Sequence, residues 1–439
     1  MSFLRPLSAI LVVTAAPALA QPRPAQAVAE IGHRLDTSYP RLDALYKDIH
    51  AHPELGFAET RTAALLAQQM RSLGFEVTEH VGKTGVVAIY RNGPGPTVMV
   101  RTELDALPLQ ELTGLPYASH VQTEWNGRET YVDHACGHDI HMAAWVGAAD
   151  ALIANKSAWS GTLMFIAQPA EEGGGGAQAM IDDGLFKRFG KPDYAFALHT
   201  TPVAYGTVQY RPGLLTSNSD DIAITFNGRG GHGADPSATI DPVLIASRFV
   251  VDVQSVISRE KDPQEPGVVT IGAIEGGSAG NIIPERVVLR GTIRSFDPAT
   301  RAKLKSGVER VARAEAAMAG APEPDIAIGG HSYDAVVNDP ALTAEVGKVF
   351  KAAFGANATE QPRPGTASED YSAYVNAGVT KSLFFTIGVY DPAKVAAGQA
   401  AGKPLPPNHS PYFAPVPEPT IRTGVTAMTL AVLDVLGKK

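Results

Sequence analysis

The sequence predicts an α/β protein: a main domain built on a β-sheet flanked by helices, interrupted by a smaller β-α-β-β-α-β domain. Three observations carry this. Short β-rich apolar runs alternate with segments of helical period in the first half of the chain. The order of elements changes near residue 216. His, Asp and Glu residues cluster in loops that follow strands, where an open α/β sheet places its ligands.

Taken in order, "YPRLDALYKDIHAHPELGFAETRTAALLAQQMRSLG" (39–74) reads as two helices broken at Pro53, with Ala64, Leu65, Leu66 and Met70 at helical spacing. "FEVTEH", "GVVAIY" and "TVMVRTE" follow as strands separated by Gly and Pro turns, then "HMAAWVGAADALIA" as an Ala-rich helix and "GTLMFIAQ" as a buried strand. From residue 216, "DDIAITFNG", "TIDPVLIASRFVVDVQSVISRE", "GVVTIGAIEGG", "ERVVLRGTIRSF", "PATRAKLKSGVERVARAEAAMAG" and "EPDIAIGGH" give strand, helix, strand, strand, helix, strand. That is the ferredoxin-like unit. "PEPTIRTGVTAMTLAVLDVLG" closes the chain as a helix. The expected organisation is a discontinuous main domain, 28–215 and 332–439, with a satellite over 216–331.

In 439 residues, 44% hydrophobic and 19% charged describe a folded chain with sizeable cores. The net charge of −8, with no basic run, argues against nucleic acid or an anionic membrane as partner. Residues 1–20 read as a cleavable export signal: Arg5, the apolar "LSAILVVTAA", then "ALA" ending at Ala20. The apolar run is too short to span a bilayer that needs roughly 20 residues. A second small-x-small site at 25–27 leaves the cut open, and 21–27 reads as an unstructured lead-in. The expected location of the mature chain is therefore periplasmic or secreted.

Four loops carry metal-type ligands. "HACGHD" holds Cys136, the single cysteine, with His138; "QPAEEGGGGAQAM" holds Glu171 and Glu172; "ALHTTP" holds His199; "PPNHSPYF" holds His409. One cysteine forms no intrachain bridge, and alone it reads as a small buried hydrophobe. Together, sulfur, imidazole and carboxylate suit zinc, or manganese and cobalt with more oxygen ligation. Five ligands exceed the needs of one zinc with an open position, so two ions sharing a ligand fit better.

"RTELDALPLQE", "HACGHDIHMAAWVGAA", "QPAEEGGGGAQAMIDDGLF", "GRGGHGADPSATIDP", "GNIIPERVVLRGTIRSF" and "HSPYF" resemble, in order, the motifs of the dimetal aminoacylase and carboxypeptidase-type amidohydrolases, in the branch of hippurate and indoleacetyl-amino acid hydrolases. The resemblance implies a zinc-peptidase-like α/β domain with an inserted lid that dimerises, and two divalent ions, zinc or manganese first, cobalt or nickel next. It implies that Cys136 bridges the ions, that His138 and His199 complete one and Glu172 and His409 the other, that Glu171 is the general base, and that Asp105 orients a metal-site group. It also brings His232 to a site, often the partner subunit's, to stabilise the oxyanion. Asn281 and Arg294 would hold the product carboxylate, a task that suits a planar guanidinium.

Two departures stand out: "HGADPS" where relatives carry "HAAMPH"-like residues, and Glu103 in place of an aspartate. Glu369 and Asp370 of "GTASEDYSAY" are read as pocket-lining, ligand-orienting or helix-capping groups, and His134, Asp139 and His141 as supports of the ligands. The expected reaction is hydrolysis of the amide of an N-acyl or N-aroyl amino acid or a dipeptide-like substrate. A short-peptide amino- or carboxypeptidase is the alternative, and a binding protein without catalysis the third reading.

Overall fold

A computed structural model describes residues 24–438. The export signal expected over 1–20 lies outside the described residues. The lead-in expected to be unstructured is helical from Pro24 onward, because the first helix runs Pro24–Ala51. Ala27, Ile31, Leu35, Leu42, Leu45, Tyr46 and Ile49 line its buried face. Burying each large apolar side chain gains about 1.5–3 kcal/mol, which together exceeds the roughly 3 kcal/mol that an interior proline such as Pro40 costs. The expected break after His52 is present, and the next helix is Thr60–Ser72.

Among the described residues the main sheet has eight strands. Its centre is four parallel strands in the spatial order Gly161–Gln168, Thr97–Glu103, Tyr194–Ala204 and Ser382–Tyr390. Three of them, 97–103, 161–168 and 382–390, are almost continuously buried, as a sheet covered on both faces requires. The helices Pro24–Ala51, His138–Ala154 and Pro417–Leu436 cover one face and share one core. Shorter helices at Gly176–Asp182 and Ser372–Asn376 pack with Leu215 and Val336 on the other. Arg34 reaches across with two hydrogen bonds to the buried carboxylate of Asp150, at 2.7 and 2.8 Å.

The segment from Asn218 to Tyr333 builds a separate antiparallel sheet, in the order Gly267–Glu275, Arg286–Ser295, Asn218–Asn227 and Asp325–Tyr333. Helices Pro242–Asp252 and Pro298–Met318 close its own apolar core. The helix expected over 239–260 is shorter, ending at Asp252 before a π-turn at Val256–Glu260. Four helices begin with the same Asp-Pro pair: Asp241, Asp297, Asp339 and Asp391 each accept backbone N–H groups, with proline at the next position. The aspartate satisfies donors the first turn leaves free, and proline has no N–H to leave unpaired there. No described helix is long and apolar enough to cross a membrane.

Two expected outcomes follow from this packing. A Cβ on Gly147 would lie 2.4 Å from Val425 Cγ2 and 2.9 Å from Leu42 Cδ1, where three helices meet. Gly147→Ala gains about 1 kcal/mol in helix propensity but meets about 1–3 kcal/mol of overpacking against a stiff valine, so urea denaturation shows a net loss of stability. In the satellite, buried Asp220 accepts from Arg301 at 2.6 and 2.9 Å, from Lys305 at 3.1 Å and from Ser332. Burial alone would raise its pKa; the Arg301, Ser332 and Lys305 contacts outweigh it and hold the value below that of ordinary aspartate. Its stabilisation is therefore present above the unfolded pKa of about 3.9 and lost as pH falls through the folded value. Asp220→Asn lowers Tm at pH 7, and the gap to the unsubstituted chain narrows in acid.

Candidate metal centre

The carboxyl ends of the parallel strands deliver the site. Asp105 follows the 97–103 strand, Glu171 and Glu172 follow 161–168, and His199 lies on 194–204. Cys136 sits in the turn before the 138–154 helix, and His138 is that helix's first residue. Gly137 between them has φ of +85° and its Cα faces Thr200, so a side chain there would be strained and would collide with Oγ1 at 2.6 Å. The Pro-rich loop is tied to this turn by the His409 N–H to Ala135 carbonyl bond, 2.8 Å, and by Asn408 Nδ2 to the Cys136 carbonyl, 2.9 Å. Ala170 (φ +47°) and His409 (φ +67°) hold left-handed backbone at the two ligand loops. Non-glycine residues persist there only when the surroundings fix them, a pattern typical of functional sites. Gly176 permits the turn after Glu172, since a Cβ there would fall 1.5 Å from the Pro169 carbonyl oxygen.

The side chains converge. Cys136 Sγ lies 3.3 Å from His199 Nε2 and 3.3 Å from His409 Nε2, and Glu172 Oε1 is 3.2 Å from His409 Nε2. His138 Nε2 stands 3.9 Å from both Glu171 Oε2 and Glu172 Oε1. Two overlapping ligand groups result, Cys136–His138–His199 and Cys136–Glu172–His409, each with donor atoms within 4.8 Å of one another. Cys136 is common to both.

The supports fix ligand tautomers. His138 Nδ1 donates to the Asp105 carbonyl at 2.7 Å and His199 Nδ1 to the Thr200 carbonyl at 2.7 Å, leaving both Nε2 atoms facing the cluster. Buried His138 Nε2 has no hydrogen-bond partner. Asp105 also accepts the Glu172 backbone N–H through Oδ2, 2.8 Å. It thus positions one ligand by its carbonyl and another by its carboxylate.

Electrostatics point the same way. Burial and the neighbouring Glu172 and Glu171 carboxylates push the Cys136 thiol well up. Burial, then Glu369 and Glu172, push Glu171 well above the ordinary glutamate value. Burial opposes ionisation of Glu172 too, but His409 and His138 outweigh it and hold the carboxylate at about 2. Burial and His141 lower His199 to about 4, so its imidazole is neutral and able to ligate. Sulfur, imidazole and carboxylate donors with an unpartnered buried Nε2 fit divalent cations, which would offset the crowded negative charge.

The cluster floors a cavity of about 650 Å³. Arg294 and Ser219 of the satellite form part of its wall, with Leu215 and Phe384 supplying apolar surface. Arg294 Nη1 donates to Ser219 Oγ. His232 and Asn281 are not brought to this cavity: both are exposed, His232 on a short two-stranded ribbon of the satellite, Gly231–His232 against Ile282–Ile283, and Asn281 in the turn that leads into it. His232 Nδ1 there accepts the Ala234 N–H at 3.0 Å. Within one chain, sequence proximity to the lid glycines does not place them at the metal ligands.

Sequence reasoning missed Arg101. Fully buried, its guanidinium pairs with Glu103 and with Glu369 at 2.7 Å and Asp370 at 3.1 Å, while Nε donates to Gln168 Oε1 at 2.9 Å. Asp370 also accepts the Ala177 N–H at 3.0 Å and Gln168 Nε2 at 2.7 and 2.9 Å. Glu369 lines the cavity from this base. Glu103 Oε2 meets His141 Nδ1 at 2.9 Å, and His141 Nε2 accepts the Thr200 N–H at 2.8 Å. The available signal was an arginine inside an apolar strand, "TVMVRTE".

Residues 99–433 match the sequence profile of peptidase family M20/M25/M40. The chain is 39% identical over 331 residues to the hippurate hydrolase of Campylobacter jejuni, covering 74% of this chain and 82% of that one. It is 34% identical to thermostable carboxypeptidase 2 of Saccharolobus solfataricus, over 89% and 94% of the two chains. Among solved structures, a dinuclear metal-binding peptidase of the M20 family from Bacillus subtilis superposes with a TM-score of 0.69 at 26% identity, over 91% of this chain and all of that one. With the strand-end ligand cluster and these matches, the chain belongs to peptidase family M20/M25/M40 and is a hydrolase of amide bonds.

Proposed function

We propose that the protein hydrolyses the amide bond of N-acyl or N-aroyl amino acids or dipeptide-like substrates, with Glu171 as general base. The observation that carries this reading is that Glu171 lines one cavity with Cys136, Glu172, His199 and His409 and, on the satellite wall, with Arg294, while buried His138 completes the ligand cluster. The names of the hippurate hydrolase and carboxypeptidase relatives support the same substrate class.

Two divalent ions, zinc or manganese, held by those five residues with Cys136 shared, would supply a lowered water pKa and a polarised amide carbonyl. Glu171 takes the proton of the attacking water and returns it to the leaving amine nitrogen. Its neighbours favour this task, because burial and the Glu369 and Glu172 charges raise its affinity for a proton. Arg294 receives the α-carboxylate of the released amino acid as a charge-assisted pair. Asp105 orients His138 and the Glu172 backbone. His232 and Asn281, exposed at the satellite ribbon, complete the site of a second copy in a homodimer, His232 stabilising the oxyanion. The chain acts after export.

Two substitutions and a substrate panel test this. Glu171→Gln keeps its bound metal and loses turnover of hippurate or N-acetyl-methionine by about 10²–10⁴-fold, the usual worth of a general base; near-normal kcat with metal retained removes Glu171 from the role. Cys136→Ser lowers metal content and activity together, measured by elemental analysis and kcat; metal retained with only a lower Tm assigns the thiol to packing. A dipeptide in the panel separates acyl-amino acid hydrolysis from peptidase activity.

A further inference from the structure

A second set of metal-type side chains lies outside the catalytic cavity, where the first helix ends. His50 Nδ1 meets Asp139 Oδ2 at 2.6 Å, and its Nε2 faces Glu111 Oε1 at 3.2 Å. The other Glu111 oxygen accepts the Ser119 N–H at 2.5 Å. Asp133 completes the group: ligand atoms of His50, Glu111 and Asp133 lie within 4.8 Å of one another, and all three residues are buried. Asp133 is 2% exposed, yet its Oδ2 has no hydrogen-bond partner.

This arrangement has the form of a ligand set with its support. A carboxylate on one imidazole nitrogen fixes the tautomer and turns the other nitrogen toward a cation. Here Asp139 is the support, and His50 Nε2, 3.2 Å from Glu111 Oε1, is the nitrogen turned toward the other two carboxylates. A buried carboxylate oxygen without a partner carries an uncompensated desolvation penalty, and a cation removes it. Burial and the Glu111 charge push Asp133 up to about 7, against the opposing pull of His50. Three carboxylates, those of Glu111, Asp133 and Asp139, surround one imidazole.

We infer that His50, Glu111 and Asp133 form a structural divalent-cation site, additional to the catalytic pair and independent of the proposed substrate. One imidazole nitrogen and two carboxylates suit zinc or manganese, whose bonds of about 2.0–2.2 Å span donors at these separations. The ion ties the end of the 24–51 helix to the segment entering the Cys136 turn. Through Asp139, the residue after His138, it steadies the ligand loop without touching substrate.

The test is a metal count on the whole chain, stripped with chelator, reloaded with manganese or zinc and desalted. Asp133→Asn, close in shape to the native residue, binds one equivalent less than the unsubstituted protein and keeps hydrolysing the same substrates. Cys136→Ser keeps the equivalent that Asp133→Asn loses, so failure of the catalytic-pair reading is distinguishable from failure of this one. Equal metal content in Asp133→Asn and the unsubstituted chain overturns the site. So does a crystal of the loaded protein with no anomalous-scattering peak beside His50 Nε2.

Discussion

Negative charge is concentrated at and beneath the floor of the cavity. Cys136, Glu171 and Glu172 crowd one end of the parallel strands, and Glu103, Glu369 and Asp370 crowd the layer beneath. Isolated buried carboxylates are among the costliest groups a fold can hold, and they persist only when paired or coordinated. The protein meets this in two ways. In the lower layer the Arg101 guanidinium serves several carboxyl groups at once, a task its planar fork of donors can perform and a lysine ammonium cannot. In the upper layer the donors are arranged for cations, with imidazole nitrogens freed by backbone carbonyls on their far side.

The architecture follows from this demand. Parallel strands present their carboxyl ends on one edge, so residues far apart in sequence arrive in one layer. Asp105 spans both purposes, holding His138 by its carbonyl and the Glu172 backbone by its carboxylate. Left-handed backbone at Ala170 and His409 shows that the ligand loops are held by their surroundings more than by local preference. The rigid helix layer of Pro24–Ala51, His138–Ala154 and Pro417–Leu436 supplies that hold. The satellite has its own core and contributes Arg294 and Ser219 to the wall of the cavity. Its orientation thereby sets how far the Arg294 guanidinium stands from the clustered side chains.

Much of this was legible in the sequence. The strands 97–103 and 161–168 match the β-rich runs residue for residue, because their β-branched and apolar residues are bounded by turn formers. The Asp-Pro pairs at four helix starts are equally local in their chemistry. The length of the first helix is not, since Pro40 is a breaker by local rules and only burial against two other helices outweighs it. Cys136, His138, Glu171, Glu172, His199 and His409, which the fold clusters, were picked out by type and by resemblance, whereas the Arg101 network was not, because Arg101 and Glu369 are 268 residues apart.

The sequence by itself determined which residue types were available for chemistry, where strands and helices would form, and the family to which the chain belongs, because these depend on local pattern and motif order. Tertiary structure alone decided which groups meet. It shares Cys136 between two ligand groups, separates His232 and Asn281 from the cavity of their own chain, and sets His50, Glu111 and Asp133 around one point. The physical reason is that hydrogen bonding and coordination depend on distances of a few ångströms. Those distances follow from sheet order and helix packing, which no short stretch of sequence encodes.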